Sequence, residues 1–201
     1  MKLYYKPGAC SLASHIVLEE IGKPYEAEAV DLQAKRTASG QDYWGINPKG
    51  YVPALLLDDG FLLTEGPAIL QFLADQSPEK QLAPANGTRE RYVLQGWLTY
   101  IGTELHKNCS PFFNPAAPQE WKDICRANLE RRLAHVNTQL AGKDYLMGAV
   151  LSVADAYLFT VLRWTVGFKL DLSPWPNLVA FQARMAARPG VQAALKAEGL
   201  A

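Results

Sequence analysis

The stretch Asn47–Ala68 constrains the fold more than any other part of the chain. Two short apolar runs, Ala54–Leu57 and Phe61–Leu63, flank Asp58-Asp59-Gly60. Asp and Gly tolerate the positive φ of tight hairpins, so the pattern predicts two antiparallel strands. Pro53 has no amide proton to give a sheet ladder and stands just before the first run, where it marks a strand start or a special turn. Thr64-Glu65-Gly66-Pro67 follows, with proline placed where a first helical turn accepts it. The open amides of a helix start attract an anion, and Glu65 beside them adds a fixed negative charge. One stretch thus predicts a strand pair, a proline bend and a helix mouth that can grip a small zwitterion. A plain ββα unit without a ligand is the other reading of the same residues.

Upstream, Leu3-Tyr4-Tyr5 reads as a strand and Lys6-Pro7-Gly8-Ala9 as a turn. Leu12, Ile16, Val17 and Ile21 keep helical spacing up to Gly22, with Ser11 as a candidate cap. Tyr25–Leu32 supplies a second strand, and Pro67–Gln76 a helix after the hairpin. The order βαβ-ββα predicts a thioredoxin-like α/β domain around a mixed four-stranded sheet. Pro78, Pro84, Asn86 and Gly87 then form a linker. Beyond it the pattern is helical only. Helices are expected over Arg89–Lys107, Gln119–Leu140, Val153–Trp164, Pro176–Arg188 and Val191–Glu198. Trp121, Ile124, Leu129, Leu133, Val136 and Leu140 line one side of the second. Ser152-Val153-Ala154-Asp155 has the form of a capping box, and the helix it opens is apolar nearly all round, as a buried helix would be. The expected division is an α/β domain over 1–80 and an all-helical domain over 87–201.

The charge balance narrows the partners. Residues 1–80 carry net −4 and residues 81–201 net +4, too mild an asymmetry for a nucleic-acid partner. No run approaches the roughly 18 apolar residues of a membrane span, and the N-terminus lacks a signal-peptide core, so no membrane is expected. Cys10, Cys109 and Cys125 make an odd set without metal-ligand spacing. They suit a reducing cytoplasm and imply no metal.

Cys10 lies between a strand and a helix start, where amides and dipole favour a nucleophilic thiolate, here expected below the free value of about 8.5. As a lone cysteine it also reads as a small apolar filler. Thr99, Thr103 and His106 share a helix face that could border a ligand groove. On spacing alone, a histidine favourably placed at a helix C-terminus is the readier account of the last of these. Lys35, in a loop, is either a carboxylate partner or a solvated lysine.

Taken in order, Lys2-Leu3-Tyr4-Tyr5, Pro7-Gly8-Ala9-Cys10-Ser11, Asn47-Pro48-Lys49-Gly50, Val52-Pro53-Ala54-Leu55, Thr64-Glu65-Gly66, Glu104-Leu105-His106-Lys107, Ser152–Tyr157 and Ala197-Glu198-Gly199-Leu200 resemble the bacterial beta-class glutathione S-transferases. The likeness runs the whole chain, and Cys10 in place of a catalytic tyrosine or serine points to that class. Ser173-Pro174-Trp175-Pro176 is similar to members encoded with bacterial pathways for aromatic pollutants. The resemblance implies the glutathione transferase fold, a cytoplasmic homodimer and glutathione as co-substrate. It makes Val52-Pro53 a cis peptide whose Val52 backbone meets the cysteinyl part of glutathione. It sets Glu65 and Gly66 at the γ-glutamyl end, Lys35 at the glycine carboxylate and Cys10 at the sulfur. It makes Cys10 and His106 catalytic, and places His106, Thr103 and Glu104 on the far wall, counted with Pro53 and Thr99 among the glutathione-binding residues. Thr99 stands where the family often has an Asn that reaches the other subunit's glutathione, and Thr is shorter. The implied activity is attack of glutathione on an electrophile such as a halogenated aromatic, with disulfide exchange or dehalogenation through Cys10. The alternative is a non-catalytic binding or interaction protein of the same fold. Retention of Cys10, Lys35, Glu65 and His106 weighs against it.

Overall fold

The computed structural model describes residues 1–201, which form two compact units, residues 1–83 with 187–201 and residues 84–186. The first begins with β1 (Lys2–Tyr5), α1 (Ser11–Ile21), β2 (Glu26–Asp31), β3 (Arg36–Thr37) and the short α2 (Tyr43–Ile46). Then come β4 (Ala54–Leu56), β5 (Leu62–Thr64) and α3 (Gly66–Asp75). The sheet order is β3-β2-β1-β4-β5. Only β1 and β2 are parallel, joined by α1 as a parallel pair requires. The four expected strands are present. The fifth, β3, is two residues long, too short for any periodicity to announce it.

The hairpin closes as the Asp-Gly pattern requires. Gly60 sits at φ +85°, and the Phe61 amide donates to Asp59 Oδ1 at 3.0 Å. Tyr4, Val30, Tyr43, Val52 and Ala54 cluster on one face of the sheet. Strand alternation turns Leu3 and Leu55 to the other face. On α1 and α3, Leu12, Ile16, Ile69 and Leu70 are equally buried. Ser11 does not cap α1. Its hydroxyl accepts from the Lys6 amide (3.1 Å) and donates to the Lys6 carbonyl (3.3 Å), closing the β1–α1 turn and leaving Cys10 at the N-cap.

The second unit contains α4 (Arg89–Tyr100), a π-turn (Ile101–His106), α5 (Lys107–Cys109), a 3-10 turn (Ser110–Phe113), α6 (Gln119–Gln139), α7 (Val153–Gly167) and α8 (Pro176–Ala186). The single helix expected over Arg89–Lys107 therefore carries a π-turn within it. On α6 the buried stripe runs Cys125, Leu129, Leu133, Val136, while Trp121 and Ile124 are exposed. The stripe keeps to i, i+4 steps back from Leu133, and these reach Cys125 rather than Ile124. α7 is buried on nearly every side and packs against α4, the π-turn and α8. At its start, Asp155 is fully buried and accepts from the amides of Leu146 and Ser152 (both 2.8 Å) and from the Ser152 hydroxyl (2.7 Å). Burial raises this carboxyl to about 6 against the opposing pull of its donors. No helix is long and apolar enough to cross a membrane.

The last helix, α9 (Pro189–Ala197), departs from the expected division. It buries Val191, Ala194 and Leu195 and packs on α1, so residues 187–201 complete the α/β unit rather than the helical one. The Arg188 guanidinium grips both carboxylate oxygens of Glu20 at 2.8 Å. Glu198, itself buried, accepts from the Gly8 amide at 2.8 Å and pairs with His15 Nδ1 at 2.9 Å.

Candidate functional site

Two groups of candidate residues emerge, one in each unit. In the α/β unit, α1, the loop before β4 and the start of α3 bring Cys10, Val52, Pro53, Glu65 and Gly66 together. Val52-Pro53 is cis, and Cys10 Sγ donates to the Val52 carbonyl at 3.2 Å. A Cβ added to Gly66 would come within 3.9 Å of the Pro53 ring, which places the mouth of α3 beside the cis-proline. Glu65 adopts φ +71°, unusual for a residue with a side chain, and its carbonyl accepts from the Ala68 and Ile69 amides that begin the helix.

The Cys10 thiol departs from the expectation of a lowered pKa. Burial pushes it up to about 11. The amides of Cys10 and Ser11 favour the thiolate but are outweighed, and the charge of Glu65 adds to the rise. Desolvation wins over the helix start because the sulfur is enclosed there. Cys10 is still partly open, whereas Cys109 and Cys125 are buried.

The loop Asn47–Tyr51 is built by side-chain bonds. Asn47 Nδ2 and Tyr43 Oη donate to the Tyr51 carbonyl at 2.7 and 3.1 Å. Gly50, at φ +69°, packs so closely on Trp44 that a Cβ would stand 2.4 Å from the ring. Lys35 lies over that same ring at 5.2 Å, and its Nζ donates to the Gly50 carbonyl at 2.6 Å. It is therefore a fixed cation rather than a waving surface lysine. Glu65 Oε1 accepts from Lys49 Nζ at 2.6 Å, and Lys49 also reaches Thr64 Oγ1 at 3.0 Å. Lys49 has no role that local sequence signals. Its place in Asn47-Pro48-Lys49-Gly50 carried no signal that it would reach 16 residues along to Glu65.

In the helical unit the π-turn carries Thr103, Glu104 and His106. Thr99 and Thr103 are exposed, and Thr103 Oγ1 donates to the Thr99 carbonyl at 3.0 Å. Glu104 Oε2 accepts from Arg132 Nε at 2.6 Å, a partner the helical pattern did not reveal. His106 is not at a helix end. Its Nδ1 lies 2.7 Å from Tyr157 Oη and its ring meets Trp164 edge-on at 4.8 Å. Burial, helped by the charge of Lys107, lowers its pKa to about 4, so the imidazole is neutral near pH 7. From Trp164 the ring contacts continue through Phe113 (5.2 Å) and Phe168 (5.0 Å) to Phe112 (4.6 Å). No group of three or more His, Cys, Asp or Glu side chains is placed to hold a metal.

A thioredoxin-like unit with a cis-proline beside a cysteine at a helix start, joined to a helical unit, is the arrangement that the two glutathione S-transferase domain models describe. The chain belongs to the glutathione S-transferase family. Residues 1–75 match the model of the glutathione S-transferase N-terminal domain and residues 96–189 that of the C-terminal domain. It is 56% identical to glutathione S-transferase GstA of Escherichia coli O157:H7 over the whole of both chains. Its fold is similar to that of BphK, a bacterial glutathione transferase solved as a ternary complex, with a TM-score of 0.98, 60% identity and full coverage of both chains. It is also similar to the bacterial beta-class glutathione S-transferase of Sphingomonas chungbukensis, with a TM-score of 0.97, 46% identity and full coverage of both. The protein is a glutathione transferase with glutathione as its co-substrate.

Proposed function

We propose that this transferase conjugates glutathione to aromatic electrophiles, halogenated ones among them. The observation that carries this reading is the run of rings from His106 through Trp164, Phe113 and Phe168 to Phe112, with Phe113 more than half exposed. Offset and edge-on ring contacts favour a flat aromatic partner. In the reaction the glutathione sulfur, having given its proton to solvent, attacks the ring carbon that bears the halide. A C–S bond forms, the C–halogen bond breaks and halide leaves with the electron pair. In this reading Glu65 and the Gly66 amide hold the γ-glutamyl zwitterion, Lys35 the glycine carboxylate and the Val52 backbone the cysteinyl part. Thr103, Glu104 and His106 border the electrophile, Thr99 lies toward a second subunit, and the protein works as a homodimer in the cytoplasm.

A second activity is favoured by the partial opening of Cys10, unlike the other two cysteines. Its sulfur attacks oxidised glutathione, the disulfide bond breaks, reduced glutathione leaves and a mixed disulfide remains on Cys10. With the thiol near 11, the adduct should form faster as pH rises from 7 to 10, rather than levelling off near 7.

Conjugation of haloaromatic substrates, release of halide and mixed-disulfide reduction, assayed side by side, test both readings. Peptide mapping after treatment with oxidised glutathione should find the label on Cys10. Label on Cys109 or Cys125, or a Cys10→Ala variant equal to wild type throughout, would remove Cys10 from the chemistry. Failure to be retained on immobilised glutathione would make the chain an interaction module. A monomer by light scattering at micromolar concentration would remove the homodimer and any role of Thr99 across it.

A further inference from the structure

We infer that Tyr157 is a positioning residue that holds His106 in the tautomer with its proton on Nε2, making His106 a neutral hydrogen-bond donor to the charge that builds on an aromatic electrophile. The inference rests on the reading that His106 borders the electrophile. It goes further by assigning the direction of a hydrogen bond and the chemical role that follows from it.

The geometry is specific. Tyr157 is buried on α7, and its Oη stands 2.7 Å from His106 Nδ1. Between two neutral partners, a phenol is the stronger donor and an imidazole nitrogen the stronger acceptor. The hydroxyl therefore donates, Nδ1 accepts and the ring proton stays on Nε2. His106 Nε2 has no hydrogen-bond partner in the protein, and it is not among the buried polar atoms that lack one, so it keeps access to the outside. The edge-on contacts with Trp164 at 4.8 Å and Tyr157 at 6.0 Å fix the plane of the ring.

The backbone is shaped to allow this. The π-turn Ile101–His106 inserts itself in an otherwise α-helical run and ends on His106, and such turns gather at functional positions. Gly102, within it, lies against the Tyr157 hydroxyl, where a Cβ would approach to 3.6 Å. Neighbouring Lys107 is the one charge that acts on the imidazole besides its burial, and it too opposes protonation. A neutral donor matches the chemistry of aromatic displacement. When sulfur adds, an electron pair moves into the ring and onto its electron-withdrawing substituent. Nε2–H hydrogen-bonds to that substituent without transferring its proton, and halide then departs with the electron pair of its bond.

The test is nitrogen NMR of the full-length protein carrying 15N-labelled histidine. Three histidines are present, and the spectrum of His106→Asn assigns the His106 signals. The wild type should show a protonated Nε2 and an unprotonated Nδ1. In Tyr157→Phe the two nitrogens should shift toward a tautomer average. The turnover of 1-chloro-2,4-dinitrobenzene should fall about 5-fold, the loss of one ordinary hydrogen bond, while the KM for glutathione stays put. A wild-type Nδ1 that carries the proton overturns the inference, whether or not Tyr157→Phe folds. So does a Tyr157→Phe variant whose turnover falls with an unchanged tautomer, since that marks a packing role. A changed tautomer with unchanged turnover overturns the catalytic consequence. If His106→Asn conjugates as the wild type does, the placement of His106 beside the electrophile fails, and the nitrogen spectrum reports that separately from the tautomer.

Discussion

Gly50 shows what a single missing side chain does for the loop that seats Lys35. At φ +69°, with the Trp44 ring 2.4 Å from where a Cβ would be, no other residue fits without moving the ring that lies under Lys35. Gly50→Ala should lose roughly 2 kcal/mol or more of stability from the left-handed backbone and the displaced ring. It should also raise the KM for glutathione as Lys35 loses its seat. Chemical denaturation and steady-state kinetics check both, and an unchanged midpoint would refute the packing argument. His106 makes a second prediction at this scale. Its folded pKa of about 4 lies below the ordinary 6.5, so between those values the unfolded chain binds more protons than the folded one. Its contribution, up to about 3 kcal/mol, is full above pH 6.5 and lost as pH falls toward 4. Midpoints measured from pH 4 to 7.5 should fall more steeply toward acid for the wild type than for His106→Asn. Parallel profiles would contradict the buried neutral imidazole.

Among the elements, those announced by turn chemistry were the most legible. The Asp-Gly hairpin, the Gly22 stop and the Ser152–Asp155 box are local signals, and each stands where the residues put it. The structure adds that Asp155 serves a second amide, Leu146, nine residues back, which no capping pattern encodes. The π-turn was equally hidden. One extra residue per turn leaves composition unchanged and only shifts which side chains align, so an i, i+4, i+7 reading of Thr99, Thr103 and His106 runs straight through it. On α6 the same kind of one-residue ambiguity put Ile124 where Cys125 belongs, because isoleucine is the more apolar of the two. For the element as a whole, Asp155→Ala should orphan two buried amides, Ser152 at the start of the central helix and Leu146 in the segment before it. The expected loss is roughly 2–4 kcal/mol, read from denaturant midpoints at pH 7.5. A loss below about 0.5 kcal/mol would mean that water reaches those amides.

Across the whole molecule, the least legible feature was where the chain's end belongs. Periodicity shows that residues 191–198 form an amphipathic helix but not which core receives its apolar face. The answer depends on contacts about 180 residues apart in sequence. Glu198 takes the Gly8 amide with one oxygen and His15 with the other, so the C-terminus grips the turn before Cys10 and the helix after it. The pair is enclosed by Tyr5 and Tyr25, whose rings stand 5.2 and 5.7 Å from that of His15. Glu198→Ala would remove the 2.8 Å bond to the Gly8 amide and the 2.9 Å bond to His15 in a dry environment. The expected loss is about 2–4 kcal/mol, with a higher KM for glutathione because the turn that sets Cys10 loosens. Glu198→Gln keeps one acceptor oxygen and should recover part of both. Hydrogen exchange locates the effect. In the alanine variant, amides of β1 and α1 should exchange faster while those of α7 hold their wild-type protection. Uniform loss across both units would show that the tail stabilises the molecule at large. No loss at all would show that the first unit closes without its last helix.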